Sequence, residues 1–232
     1  MAMRENLQSF LMPGKLYFKQ GSLPIALAEL KYELKKSRVF MITDPGLMQS
    51  HVLDPVTGAL FNFGIDYSLV PAIPTAIFPC RKYAPDCIIA VGSQQALELA
   101  ASVREQDDPN LYFITIPTTV GKTQTAPLPD MVIVDEDMIA QPDENAAKAI
   151  LQTARESLKG ANASDYTLGF AVKAMRIVFS GAKDKTSLLR AASLAENAKS
   201  IAFADGGEGE DLLADAADSL GMTADALLAK LS

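Results

Sequence analysis

"DCIIAVGSQQALELAASVRE", Asp86 to Glu105, decides the fold. The apolar run from Cys87 to Val91 suits a buried strand, because it lacks the polar alternation of a half-exposed one. Gly92 turns the chain, and a helix opens on Ser93, a residue type that favours helix starts. A strand feeding a helix through a tight turn makes an anion site, since the first N–H groups of a helix have no partner inside it. Such turns usually carry two or three glycines. This one has only Gly92, with Ser93, Gln94 and Gln95 after it.

The same alternation runs outward on both sides. "KLYF" (15–18), "RVFMIT" (38–43), "IDYSLV" (65–70), "LYFITI" (111–116) and "MVIV" (131–134) have the length and composition of strands. Between them, "PIALAELKYELKK" (24–36) starts on a proline and sets Leu27, Leu30 and Leu34 on one helical face. "HVLDPVTGALFNFG" is helical in its middle and stops at Gly64. Strands alternating with helices imply parallel pairing through crossovers, an α/β layered sheet. After Gln141 strand-like runs cease. "PDENAAKAILQTARESLKG", "SDYTLGFAVKAMRIVFSG", "KTSLLRAASLAENAKSIAFADGG", "EDLLADAADSLG" and "TADALLAKLS" each read as capped, alanine-rich helices. The expected division is an α/β domain over 1–142 and a short all-helical domain over 143–232.

Composition sets the outer bounds. The 232 residues are 49% apolar with a formal charge of −7. That balance fits a globular protein and argues against nucleic acid or an anionic membrane as partner, either of which needs clustered Lys and Arg. The acid excess lies mostly after Asp205, in "DGGEGEDLLADAAD", which reads as a solvated loop and helix face. Cys80 and Cys87 flank a short turn without metal-ligand spacing, so free thiols in a reducing compartment are expected. The first residues lack the unbroken apolar core of a signal peptide, and no run approaches the ~20 residues that span a bilayer. A soluble, cytoplasmic protein is the expectation.

Several stretches, in order and over most of the chain, resemble the iron-containing (group III) alcohol dehydrogenase family, above all the alcohol dehydrogenase half of bifunctional aldehyde–alcohol dehydrogenases. They are "PGKLYFKQGSLPIALAEL", "RVFMITDPGL", "PDCIIAVGS", "IPTTVGKT", "LPDMVIVDEDMIAQP", "ASDYTLGFAVKAMRIV" and "AASLAENAKSIAFA". The resemblance implies a Rossmann-like N-terminal domain that binds a nicotinamide cofactor, followed by a helical domain that holds a divalent metal, the fold shared with dehydroquinate synthase.

Through the resemblance, Asp44 in "MITDPGL" faces the adenosine ribose, a placement that favours NAD over NADP. Read on its own, Asp44 equally suits a cap for the helix that follows it. The family's pyrophosphate loop, Gly-Gly-Gly-Ser with an Asp soon after, corresponds here to Gly92, Ser93, Gln94 and Gln95, then Glu98. Side chains at those positions obstruct approach to bare backbone N–H groups. The family's Thr-Thr-x-Gly-Thr-Gly-Ser-Glu loop corresponds to Thr118, Thr119 and Gly121, with Lys122, Thr123, Gln124 and Thr125 replacing the remainder. Lys122 reads either as a phosphate partner or as a solvated loop lysine. Weak NAD binding through these residues is expected.

The metal ligands depart further. The family uses one Asp and three His, the first two as Asp-x-x-x-His in a helix, to polarise the alcohol oxygen. The corresponding positions here are Ala149 and Thr153. The helix expected to bring the third ligand, "EDLLADAADSLG", has no histidine, and the fourth position falls beyond the last residue. The sole histidine, His51, lies in the first domain and reads as a surface or helix-start residue. Asp211, Asp215 and Asp218 are spaced as one acidic helical face, which suits solvent better than a Lewis-acid site. No iron or zinc is expected. The chain also looks shortened against the family. "AIFPCRKYA" is too short for a full crossover helix, "APLPDMVIVD" follows "VGKTQT" at once, and the helical domain lacks its last portion.

Two functions compete on this basis. One is a degenerate family member acting as a binding, assembly or nucleotide-sensing module, with a homo-oligomer or another protein as partner. The other is an NAD-dependent alcohol or aldehyde oxidoreductase in which Asp44, Thr118 and Thr119 position the cofactor and Lys122 or a tyrosine supplies the proton.

Overall fold

The computed structural model describes residues 13–121, 125, 127–142, 145–160, 163–203 and 211–231. The chain divides into two compact units, Pro13–Gln141 and the part from Pro142 onward. In the first unit β1 (Lys15–Phe18), β2 (Arg38–Thr43), β3 (Asp66–Pro71), β4 (Cys87–Gly92), β5 (Tyr112–Pro117) and β6 (Met131–Val134) form one sheet. Its strand order is β1-β6-β5-β4-β2-β3, and every pairing is parallel. Parallel strands need crossovers, and helices α1 (Leu23–Tyr32), α2 (Asp54–Asn62), α3 (Ile77–Tyr83) and α4 (Gln94–Asp107) supply four of the five.

The pleat sorts the side chains onto two faces. Val39, Met41, Ile89, Val91, Ile114 and Ile133 form one core with Leu27 and Leu30 of α1 and Leu60 of α2. Phe40, Ile42, Ile88, Ala90 and Phe113 form the other with Cys80 of α3 and Leu97 and Ala101 of α4. Both faces of the central strands are therefore buried, which is why these segments are apolar without alternation. Each such Leu or Ile taken from water contributes roughly 1.5–3 kcal/mol before entropy is counted.

Asp135 and Asp130 pin the ends of the sheet. Asp135, 2% exposed, accepts from the N–H groups of Gly21, Leu23 and Asp137 and so caps α1 from the end of the neighbouring strand β6. Asp130 accepts from Phe113 N and Arg104 Nη2, and its carbonyl accepts from Lys15 N.

The segment before β4 departs from the expectation of a nearly absent crossover. Pro74–Ala76 form a 3-10 turn, and α3 continues it through Tyr83. Burial of Ile77 and Cys80 against the sheet stabilises this short helix. Pro79 sits in its first turn, where the missing N–H forfeits no internal hydrogen bond. Ala84, in the left-handed region at φ 52°, ends it.

In the second unit α5 (Ala146–Ser157), α6 (Asp165–Phe179) and α7 (Lys185–Ala202) pack on one another, with α8 (Leu213–Ser219) and α9 (Ala224–Leu231) after them. Small residues let the backbones come close. A Cβ built on Gly160 would lie 2.3 Å from the Ala202 carbonyl oxygen, so only glycine fits there. Caps come from Asp184, which accepts from Ser187 N, and from Thr223, whose hydroxyl accepts from Ala226 N. Helix α5 begins one residue after Asn145, and Asp143 lies outside the described residues. Among the described residues no helix is long and apolar enough to cross a membrane.

Candidate functional site

The C-terminal ends of the parallel strands share one edge of the sheet, and the loops that leave them make its functional rim. Sequence order reverses direction between β2 and β4, since β2 leads outward to β3 while β4 leads the other way to β5. A crevice outside this switch point is the usual ligand position in open α/β sheets. Asp44 leaves β2 there, and Gly92 and Ser93 leave β4 opposite it.

Asp44 spans the crevice. Its Oδ2 accepts from Ser93 N at 2.6 Å and its Oδ1 accepts from Ser93 Oγ at 2.7 Å. It makes no side-chain cap to the 3-10 turn Pro45–Leu47 that follows it, so the local capping expectation is corrected. The carboxylate is instead spent on the N-terminus of α4, where a negative group is stabilised by the helix dipole. Ser93, likewise, gives its hydroxyl to Asp44 and does not cap its own helix. Gly92 has φ 150°, and a Cβ there would lie 2.4 Å from Asp44 Oδ2. Glycine at this one position is thus required by the carboxylate that packs on it.

Gln94 is exposed, and its Nε2 donates to Glu98 Oε1 at 2.8 Å, one turn along α4. The glutamine amide is drawn down the helix and away from the turn. Thr118 N donates to Gly92 O, and Ala140 N donates to Thr118 O. These two bonds link the loops after β4, β5 and β6. Thr118 is buried and Thr119 exposed. Gly121 is the last described residue of its loop before 125, so Lys122, Thr123 and Gln124 lie outside the described residues.

Beside the Asp44 bridge lies a cavity of about 340 Å³. Leu47, Val52, Met138 and Ile139 form its apolar walls, while Asp44, Asp137, Thr118 and Thr119 supply its polar groups. No Lys or Arg is among the described residues lining it. Sequence reasoning found Asp44, Thr118 and Thr119 but missed the contribution of "EDMIA" (136–140). Its only signal was position, in the loop after the last strand. Of the remaining expected residues, Gly92, Ser93 and Gln94 stand at the adjacent turn.

The metal positions lie in the second unit. Ala149 is exposed on α5 and offers only a methyl group. Thr153 stands one turn on, and its hydroxyl donates to the Ala149 carbonyl at 3.0 Å. Iron and zinc take carboxylate, imidazole or thiolate donors, so these two residues do not fit the group that the resemblance implies. The acidic triplet is not one helical face either. Asp211 precedes α8, accepts from Leu213 N and forms an ion pair with Lys159 Nζ at 3.7 Å, while Asp215 and Asp218 are exposed on the helix. Among the described residues no cluster of three or more His, Cys, Asp or Glu is arranged to hold a metal.

His51 is fully exposed and paired with Asp54, at a helix start. Cys80 and Cys87 are free and buried. Burial, with the Asp107 carboxylate second, pushes the Cys80 thiol up to about 12, and burial raises that of Cys87 further.

No protein-family model matches the chain. Aldehyde-alcohol dehydrogenase of Clostridium acetobutylicum is 33% identical over 106 residues, which are 42% of this chain and 12% of that protein. 1-Propanol dehydrogenase PduQ of Citrobacter freundii is 27% identical over 210 residues, 75% of this chain and 55% of that protein. The chain therefore spans less than two thirds of either relative's length. Among solved structures, the iron-containing alcohol dehydrogenase of Thermococcus thioreducens superposes with a TM-score of 0.76 at 17% identity, covering 96% of this chain and 84% of that one.

Proposed function

From the premise that the chain is a relative of the iron-containing alcohol dehydrogenases, sharing their fold, we propose that it is a nucleotide-binding or assembly module without metal-assisted hydride transfer. One observation carries this. On α5 the two positions expected to ligate metal hold a methyl group and a hydroxyl already turned onto its own helix backbone. A Lewis acid held elsewhere in this chain would find one histidine in the whole sequence.

The cleft on the sheet edge retains what a nucleoside needs. Asp137, and Asp44 through the lone pairs that Ser93 leaves, would accept hydrogen bonds from sugar hydroxyls, Thr118 and Thr119 add neutral hydroxyls, and Leu47, Val52, Met138 and Ile139 suit a flat ring. Gly92, Ser93, Gln94, Gly121 and Lys122 would meet the phosphates of NAD, and the substituted turn makes that binding weak. The competing activity, an NAD-dependent alcohol or aldehyde oxidoreductase, requires a group that gives a proton to the carbonyl oxygen as hydride reaches its carbon. Among the described residues lining the cavity there is no tyrosine or lysine to act as one.

An assembly role draws support from Ile25 and Tyr32 on α1 and Phe61 on α2, the last 80% exposed. Large apolar side chains left in water mark surfaces that a second copy or another protein covers.

The test is NADH turnover over a panel of aldehydes, with and without added iron or zinc, run beside calorimetric titration of NAD and adenosine. Saturable binding of either ligand without turnover is expected. Steady NADH oxidation would overturn the proposal, and absence of binding by both ligands would remove the nucleotide half of it.

A further inference from the structure

Resting on the nucleotide-cleft proposal, we propose that the Asp44–Ser93 bridge makes this site selective for an uncharged nucleoside over nucleoside phosphates and dinucleotides. The N-terminus of α4 is where a phosphate would seek backbone N–H groups. Here the chain has placed its own carboxylate there, bonded through both oxygens to Ser93 N and Ser93 Oγ at 2.6 and 2.7 Å. A phosphate approaching the same turn meets a like charge at contact range and must displace two hydrogen bonds.

The neighbouring cavity points to the same ligand class. Its volume of about 340 Å³ lies near the lower end of small-molecule pockets, which run from ~300 to ~1,000 Å³, so it suits one nucleoside better than a dinucleotide. Asp137 adds a second carboxylate to its lining. Carboxylates accept from sugar hydroxyls and repel phosphate oxygens, while Leu47, Val52, Met138 and Ile139 accept a base without any charge requirement.

The experiment is calorimetric titration of the 232-residue chain with adenosine, AMP, ADP and NAD. The wild type is expected to bind adenosine about tenfold or more tightly than any of the three phosphate-bearing ligands, the size of effect that one like-charge neighbour produces. Asp44→Asn keeps an acceptor for Ser93 N and removes the charge, so AMP, ADP and NAD should each tighten about tenfold relative to adenosine, whatever the loss of a sugar-hydroxyl acceptor does to all four ligands alike. Ser93→Ala loses one bond and keeps the charge, so the discrimination should persist in that variant. NAD or ADP binding the wild type more tightly than adenosine would overturn this inference alone, as would an unchanged ratio in Asp44→Asn with native circular dichroism. Failure of all four ligands to bind would overturn it together with the nucleotide-cleft proposal.

Discussion

Gly92 shows how much one residue decides at this rim. Its φ of 150° and the 2.4 Å approach of Asp44 Oδ2 to a Cβ leave room for nothing larger. Gly92→Ala should lower stability by about 1–3 kcal/mol, the range for a strained backbone residue, seen as a lower urea midpoint with unchanged slope. An unchanged midpoint would mean that Asp44 does not pack there. The glycine was legible in the sequence because a strand-to-helix turn requires one. Its partner was not, because Asp44 and Ser93 lie 49 positions apart and only the parallel pairing of β2 with β4 joins them. The cysteines give a second residue-scale test. The Cys80 thiol ionises near 9.0 when unfolded and only at about 12 when folded, held up by burial and by Asp107. The folded state then keeps a proton that the unfolded state sheds, so stability should fall as pH rises from about 9 toward 12. Urea midpoints at pH 8 and pH 10 read that fall, and Cys80→Ser should reduce it. Ellman's reagent should leave both thiols unmodified at pH 8 until denaturant is added; rapid modification of the native protein would contradict their burial.

Carboxylates join elements in this chain alongside the apolar core. Asp135 ends β6 and caps α1, accepting three N–H groups in a site only 2% exposed. Asp135→Ala would strand those donors, and the expected loss is about 3 kcal/mol, with a smaller loss for Asp135→Asn. A loss under ~0.5 kcal/mol, the level of an ordinary surface change, would contradict the capping role. From sequence alone Asp135 looked like one more acid in "IVDED", since a long-range cap has no local signature. The converse holds for α3. "IFPCRKY" lacks the length and periodicity of a helix, and it becomes one because Ile77 and Cys80 find a buried surface on the sheet. The long elements α4, α6 and α7 were legible because their apolar period extends over three turns or more.

Within the first unit the parallel character of the sheet followed from the alternation of apolar runs and helical stretches, whereas the order β1-β6-β5-β4-β2-β3 did not. Nothing in the residues of one buried strand specifies its neighbour, so the switch point between β2 and β4, and with it the Asp44 bridge, emerges only from the folded sheet. The helical unit was legible as helices, yet the placement of Asp211 before α8 was not, because that aspartate acts at the helix start and not on its face. For the molecule as a whole, the central claim is that a nucleotide cleft persists without a centre for metal-assisted hydride transfer. The most direct measurement is elemental analysis of the purified chain after dialysis against iron(II) or zinc, with NADH oxidation by aldehydes followed in the same samples. The account predicts metal far below one equivalent per chain and no oxidation above the protein-free rate; one bound metal per chain with sustained NADH oxidation would contradict it.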